Sequence, residues 1–200
     1  QIFGRTYDDD VCEAYRETHA NQMVSGPDGL AAFRLEEQSD DEAPYTVAEL
    51  VAMQLEEARR QASVTASEPV HDCVLTVPSY FSPVERQALI DAAELADFRV
   101  QQVINDGAAV ALNYAMSRSF NETPEYHILF DMGAASTTVT VASYRSVSVK
   151  EVGKYFKNVP QVQIHGFAYD RHLGGGIIDR RLQDHLAKLF TDTTKGVEEP

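Results

Sequence analysis

Covalent and metallic staples are scarce in this sequence. Two cysteines, Cys12 and Cys73, occur in 200 residues, too few for a disulfide framework. Cys73 lies in the run Cys73-Val74-Leu75-Thr76-Val77 and reads as a buried free thiol in a strand. A bridge to Cys12 would require the fold to bring the two together. The six histidines lack metal-ligand spacing, and His71-Asp72-Cys73 is too compact for a zinc site. No apolar run approaches the roughly 20 residues that span a bilayer. Lys and Arg number 17 against 31 Asp and Glu, for a formal net charge of −14, and no basic cluster occurs. That balance disfavours nucleic acid, whose phosphates attract Lys and Arg, and disfavours anionic membrane surfaces. Repeats and low-complexity tracts are absent as well.

What is present suits a soluble α/β protein. Apolar residues make up 44% and charged residues 24% of the chain, enough for a core. The sequence begins at Gln1 in what reads as folded interior, Ile2-Phe3-Gly4, with neither initiator Met nor signal peptide. A fragment or a processed product is therefore expected. Residues 1–22 show no clear element, and Asp8-Asp9-Asp10 reads as a solvated charge run. Met23 to Leu35 predicts a hairpin turning at Pro27-Asp28-Gly29. The stretch Glu36 to Ala43 is acidic and exposed. Two capping boxes follow, in which a hydroxyl and a glutamate three residues later satisfy each other's backbone donors. Thr46 with Glu49 opens a helix to about Ser63. Ser82 with Glu85 opens a second to about Ala96, with Pro83 at the first helical position. Strands are expected at Val70 to Val77 and Arg99 to Ile104, and a helix at Asp106 to Ser117. Strand–helix–strand–helix implies an α/β layer.

The most informative stretch is Tyr126 to Tyr144. An apolar run, Ile128-Leu129-Phe130, ends in Asp131-Met132-Gly133. A small-residue turn, Ala134-Ala135-Ser136, leads into the β-branched run from Thr137. This is a hairpin with an acid at the end of its first strand. Its turn can offer backbone N–H groups to a phosphate, and its carboxylate can face a hydrated Mg²⁺. Further strands are expected at Ser146 to Phe156 and Gln161 to Tyr169. The run Leu173-Gly174-Gly175-Gly176 then precedes an amphipathic helix, Ile177 to Phe190, and a polar tail. One sequon, Asn121-Glu122-Thr123, sits in a polar loop.

Three motifs occur in one order. Val74-Leu75-Thr76-Val77-Pro78-Ser79-Tyr80-Phe81 is followed by Glu85-Arg86-Gln87-Ala88. Val103-Ile104-Asn105-Asp106 is followed by Ala108 to Tyr114. Leu129 to Gly133 is followed by Asp170-Arg171-His172-Leu173-Gly174-Gly175. Together they resemble the nucleotide-binding domain of the heat shock protein 70 family, over nearly the whole chain. Asn105-Asp106, Asp131-Met132-Gly133, Ser136-Thr137 and Gly166 to Arg171 are most similar to the family's large glucose-regulated branch, resident in the endoplasmic reticulum lumen; a cytoplasmic home is the alternative.

The resemblance implies an actin-like ATPase fold, α/β and ribonuclease H-like, with two lobes represented in part. Residues 1–120 would be the remainder of the first lobe, divided near residue 65, and 121–200 the start of the second. It makes Asp131 and Asp106 the catalytic carboxylates, with Asp131 holding Mg²⁺ through water. ATP or ADP would lie against Gly133, Ala134, Ala135, Ser136, Thr137, Gly174 and Gly175. Pro78 and Arg86 would relay nucleotide state, and Asn121 would carry a glycan. Asp106 replaces a glutamate with a chain one methylene shorter, and Ala134 and Ala135 replace glycines, which restricts the backbone. The first phosphate loop and a catalytic lysine would precede Gln1, and the adenosine-binding half would follow Pro200, so these residues alone should not turn ATP over. Two roles are implied: a chaperone whose nucleotide state gates unfolded clients, or a weakly hydrolysing exchange factor for another heat shock protein 70. A sugar or acetate kinase of the same fold lacks its sugar-binding signature here.

Overall fold

The computed structural model describes residues 2–35, 38–39, 41–150 and 156–194. Two compact units divide the chain, Gln1–Ile104 and Asn105–Pro200.

In the first unit, helix α1 (Asp10–Thr18) begins where the sequence suggested only a charge run. The middle aspartate of that run is its N-cap: Asp9 accepts the Val11 N–H at 2.9 Å, satisfying a donor the helix leaves open. The expected hairpin is present. Strands β1 (Met23–Ser25) and β2 (Ala31–Phe33) pair antiparallel around a 3₁₀ turn, Pro27–Gly29. Asp28 and Gly29 adopt φ of 60° and 73°, a region that Gly and Asp tolerate best. Strand β3 (Tyr45–Thr46) adds to β2 and runs directly into α2 (Val47–Ala66).

Both capping boxes form. Thr46 and Glu49 start α2, while Ser82 and Glu85 start α3 (Pro83–Leu95) with Pro83 in the first turn. Helix α3 connects β4 (Asp72–Val77) to β5 (Arg99–Asn105), and these two strands pair. Phe3, Ala52, Ala92, Ala93, Ala96 and Phe98 are buried between α2, α3 and this sheet, with Leu75 and Val100 against them. A second cluster, Ile2, Cys12, Met23, Ala31 and Phe33, packs α1 on the small sheet. Ile2 and Phe3 are thus interior, as read from the sequence. Cys12 and Cys73 are both free thiols, each pushed up in pKa by burial. Glu85 is 3% exposed. It accepts the Ser82 N–H at 2.6 Å and Arg5 at 3.4 Å, which ties the N-terminal segment to the start of α3.

The second unit is a three-stranded antiparallel sheet, β6 (Glu125–Met132), β7 (Thr137–Lys150) and β8 (Phe156–Asp170), with α4 (Asp106–Met116) on one face. Here the strand expectations need correction. The separate strand expected from Ser146 is the second half of β7, which runs unbroken to Lys150, and β8 begins at Phe156 rather than Gln161. Opposite Val141 and Ala142 of β7 the register shifts past His165, a bulge in β8 that bends that strand without ending the pairing. Pro160, opposite Ser146, lies in the edge strand, where a missing N–H is tolerated. Ala111 and Ala115 of α4 are buried against Ala142 and Tyr144 of β7. The other face of β6 is bare: Tyr126, Ile128 and Phe130 are each about two-thirds exposed. Helix α5 (Gly175–Thr193) extends from the end of β8, starting two residues before the sequence expectation.

Candidate functional site

The β6–β7 turn is the hairpin expected from the sequence. Asp131 pairs with Thr138 and Met132 with Thr137, and the Gly133 N–H closes the turn on the Ser136 carbonyl at 2.9 Å. Gly133, Ala134 and Ala135 form an exposed tip. Side chains alternate along a strand. The His127 ring lies 5.4 Å from that of Tyr114 of α4, tilted against it, and Leu129 packs against the cluster below that helix. Asp131, two residues further, stands on the same face.

Asp106 opens α4. The next residue, Gly107, lies against Thr140 of β7: a Cβ there would fall 2.1 Å from Thr140 Oγ1. Thr140 pairs with Leu129, two residues before Asp131. The start of α4 is therefore seated over the hairpin end of the sheet, and the two acids share one face of it. Among the described residues, no group of three or more His, Cys, Asp or Glu converges.

The glycine run is docked beneath the hairpin. Gly175 N–H donates to the Gly133 carbonyl at 2.9 Å, and Gly176 N–H to the Ala134 carbonyl at 2.8 Å. Gly174 is buried, and a Cβ on it would stand 2.5 Å from the Ala134 carbonyl oxygen. Gly174 is needed for the close approach of the two backbones, whereas a Cβ on Gly175 would meet only ordinary contacts. The Gly175 amide is engaged by the hairpin itself, so its contribution to a ligand would be through shape. Thr137 is 6% exposed, and its hydroxyl donates to the Leu173 carbonyl at 2.7 Å. Asp170 organises the approach by accepting the N–H groups of His172 and Leu173 at 2.8 and 3.1 Å.

The family model described as "Hsp70 protein" matches residues 1–198. The chain belongs to the heat shock protein 70 family. It is 39% identical over 198 residues to "Hypoxia up-regulated protein 1" of Danio rerio, covering 97% of this chain and 19% of that protein. It is 44% identical over 157 residues to the protein of the same name from Xenopus tropicalis, covering 78% of this chain and 24% of the relative. The Homo sapiens protein is 38% identical over 161 residues, 80% of this chain and 16% of its own length. The chain thus spans about a fifth of the length of the curated relatives it matches.

The heat shock protein 70 nucleotide-binding domain has the actin-like ATPase fold, and the mixed α/β elements here are a part of it. The sequence-derived residues fall in three places. Asp131, Gly133 to Thr137, Gly174 and Gly175 come together at the hairpin, with Asp106 on the α4 side. Pro78 and Arg86 lie in the first unit. There the Pro78 carbonyl accepts the Phe81 N–H at 3.0 Å, and the Phe81 carbonyl accepts Arg86 Nε at 3.1 Å, so one turn links them. Asn121 is exposed in the loop between α4 and β6. Its backbone carbonyl takes the Ser146 N–H at 2.7 Å, and its side-chain amide donates to Glu125 at 3.3 Å.

Sequence reasoning missed Gly107 and Thr140 and gave no role to Asp170. A glycine inside a helical pattern costs about 1 kcal/mol relative to alanine and often has a packing reason; Gly107 offered that signal. Asp170 stands in the third motif and caps the turn two and three residues on, a local signal; Thr140 had none, because its partner is set by register.

Proposed function

We propose that these residues are the ATP-binding part of a heat shock protein 70-type chaperone acting in protein folding, with nucleotide state gating the binding of unfolded clients by a domain outside them. The observation that supports this reading is the exposed hairpin tip above a docked glycine run, with Asp131 at its base on the α4 face. In this reading Asp131 holds Mg²⁺ through water. Gly133, Ala134, Ala135 and Ser136 border the β- and γ-phosphates, with Thr137, Gly174 and Gly175 shaping the loop from below. Bound ATP with Mg²⁺ supplies the transferable phosphoryl group. The chain's own work is to bind and orient it, and Asp106 orients the attacking water. Pro78 and Arg86 carry nucleotide state outward through the turn at Phe81. The lobes are proposed as residues 1–120 and 121–200, which assigns α4 and Asp106 to the first. The proposed compartment is the endoplasmic reticulum lumen, where Asn121 would be glycosylated.

Calorimetry on the full-length protein with ATP and Mg²⁺ tests the reading. Asp131→Ala should abolish the Mg²⁺-dependent part of the affinity, and an unchanged affinity would overturn it. A second reading has its own support. The methyl groups of Ala134 and Ala135 narrow the backbone freedom of the tip, which suits a module that binds nucleotide, turns it over slowly and serves another heat shock protein 70 as exchange factor. Mg²⁺·ATP binding without phosphate release, together with faster nucleotide release from such a partner, would favour it.

A further inference from the structure

We propose that Thr137 is a positioning residue that latches the hairpin to the glycine run, so that both behave as one rigid loop at the nucleotide. The inference rests on the nucleotide reading above and assigns Thr137 a task other than phosphate contact.

Three observations carry it. Thr137 is 6% exposed and its hydroxyl is already engaged, donating to the Leu173 carbonyl at 2.7 Å across 36 residues of sequence. Leu173 is held from its other side by Asp170, which accepts its N–H at 3.1 Å and is itself the register partner of Thr137. Beyond Leu173, Gly174 touches Ala134 too closely for any side chain, and the amides of Gly175 and Gly176 bond the carbonyls of Gly133 and Ala134. The two loops therefore meet in a row of contacts that begins at Thr137, the first residue of β7.

Rigidity follows from the geometry. The glycines have the largest conformational freedom of any residue, and α5 begins with no side-chain cap at Gly174. Without the Thr137 hydroxyl, the Leu173 carbonyl loses its partner beside a segment with little intrinsic preference for this shape. Backbone order at Ala134 and Ala135 would then have to be supplied at the moment of binding, which lowers affinity.

The test compares Thr137→Val, which keeps the shape and removes the hydroxyl, with Thr137→Ser, which keeps the hydroxyl. In the full-length protein, amide hydrogen exchange should quicken about tenfold at Gly175 and Gly176 in Thr137→Val, with the amides of β4 unchanged. Mg²⁺·ADP affinity should fall about fivefold. Thr137→Ser should stay within about twofold of the parent in both measurements. Thr137→Ala carries the same test should the valine variant not fold. Unchanged exchange at Gly175 and Gly176, equal loosening in the serine variant, or faster exchange with full affinity would each overturn the latch. A parent protein that fails to bind Mg²⁺·ADP would sink the nucleotide reading instead, and the exchange comparison would still decide whether Thr137 holds the loops together.

Discussion

Gly107 and Thr140 touch so closely that no side chain fits between them: a Cβ on Gly107 would lie 2.1 Å from Thr140 Oγ1 and 2.9 Å from Thr140 Cβ. Alanine is otherwise favoured over glycine in a helix by about 1 kcal/mol. Overpacking reverses the sign here. Gly107→Ala should destabilise by about 1–3 kcal/mol, and Thr140→Ala in the same chain should recover most of the loss. Urea midpoints of the two single variants and the double variant measure the coupling. Strict additivity would show that α4 is not seated on Thr140.

Tyr144 is fully buried among Tyr114, Phe120 and His127, and its hydroxyl has no hydrogen-bond partner among the described residues. Burial, and then Tyr114, push its pKa up. A buried polar group without a partner carries its desolvation cost uncompensated. Tyr144→Phe should therefore raise stability, by about 1 kcal/mol, read as a higher urea midpoint at constant slope. A clear loss of stability would mean that the hydroxyl is satisfied.

Asp9 caps α1 through the Val11 N–H and pairs with Arg5 at 3.1 Å. The backbone hydrogen bond from Val11, and then Arg5, hold its carboxyl below the ordinary value of 3.8, against the opposing effect of burial. A lowered folded pKa gives stability that is present above the unfolded value and is lost as pH falls through the folded one. The stability gap between the parent and Asp9→Asn, which keeps a capping oxygen, should shrink as pH falls below about 4. Thermal melts from pH 2 to 6 would show it, and a gap constant with pH would contradict it.

Asn121 precedes β6, while the hairpin tip follows it. The strand is 8 residues long, which separates the two by about 25 Å at roughly 3.3 Å per residue. Secretory expression should give a glycosidase-sensitive mass shift that both Asn121→Gln and Thr123→Ala abolish. Nucleotide affinity should be the same with and without the glycan. A shift that survives both substitutions would remove the site.

Local chemistry was the legible part of the sequence. The boxes at Thr46–Glu49 and Ser82–Glu85 formed because each pairs a hydroxyl with a carboxylate three residues away, a relation the chain carries within one turn. The turn at Asp28-Gly29 and the Asp131–Thr137 hairpin were legible for the same reason. Helix α1 was not, because a capping aspartate inside Asp8-Asp9-Asp10 looks like any solvated acid until the next turn packs Cys12 inward. The length of β7 depended on its pairing with β8, which is long-range. At the site, residue types were readable and tasks were not. The Thr137 hydroxyl and the Gly175 amide are occupied by Leu173 and Gly133, partners that only register and close packing can assign.

The bare face of β6 gives Asp131 a second kind of importance. Tyr126, Ile128 and Phe130 line one side of a strand whose run Ile128-Leu129-Phe130 has no charge and no proline. Such a window is prone to pair with copies of itself while the chain is being made. Glu125 and Asp131 bracket it, and like charges stacked between neighbouring copies oppose that pairing. Neutralising Asp131 therefore removes a gatekeeper along with a carboxylate. The Asp131→Ala protein should give a lower soluble yield whether or not nucleotide is present, a loss that magnesium cannot restore.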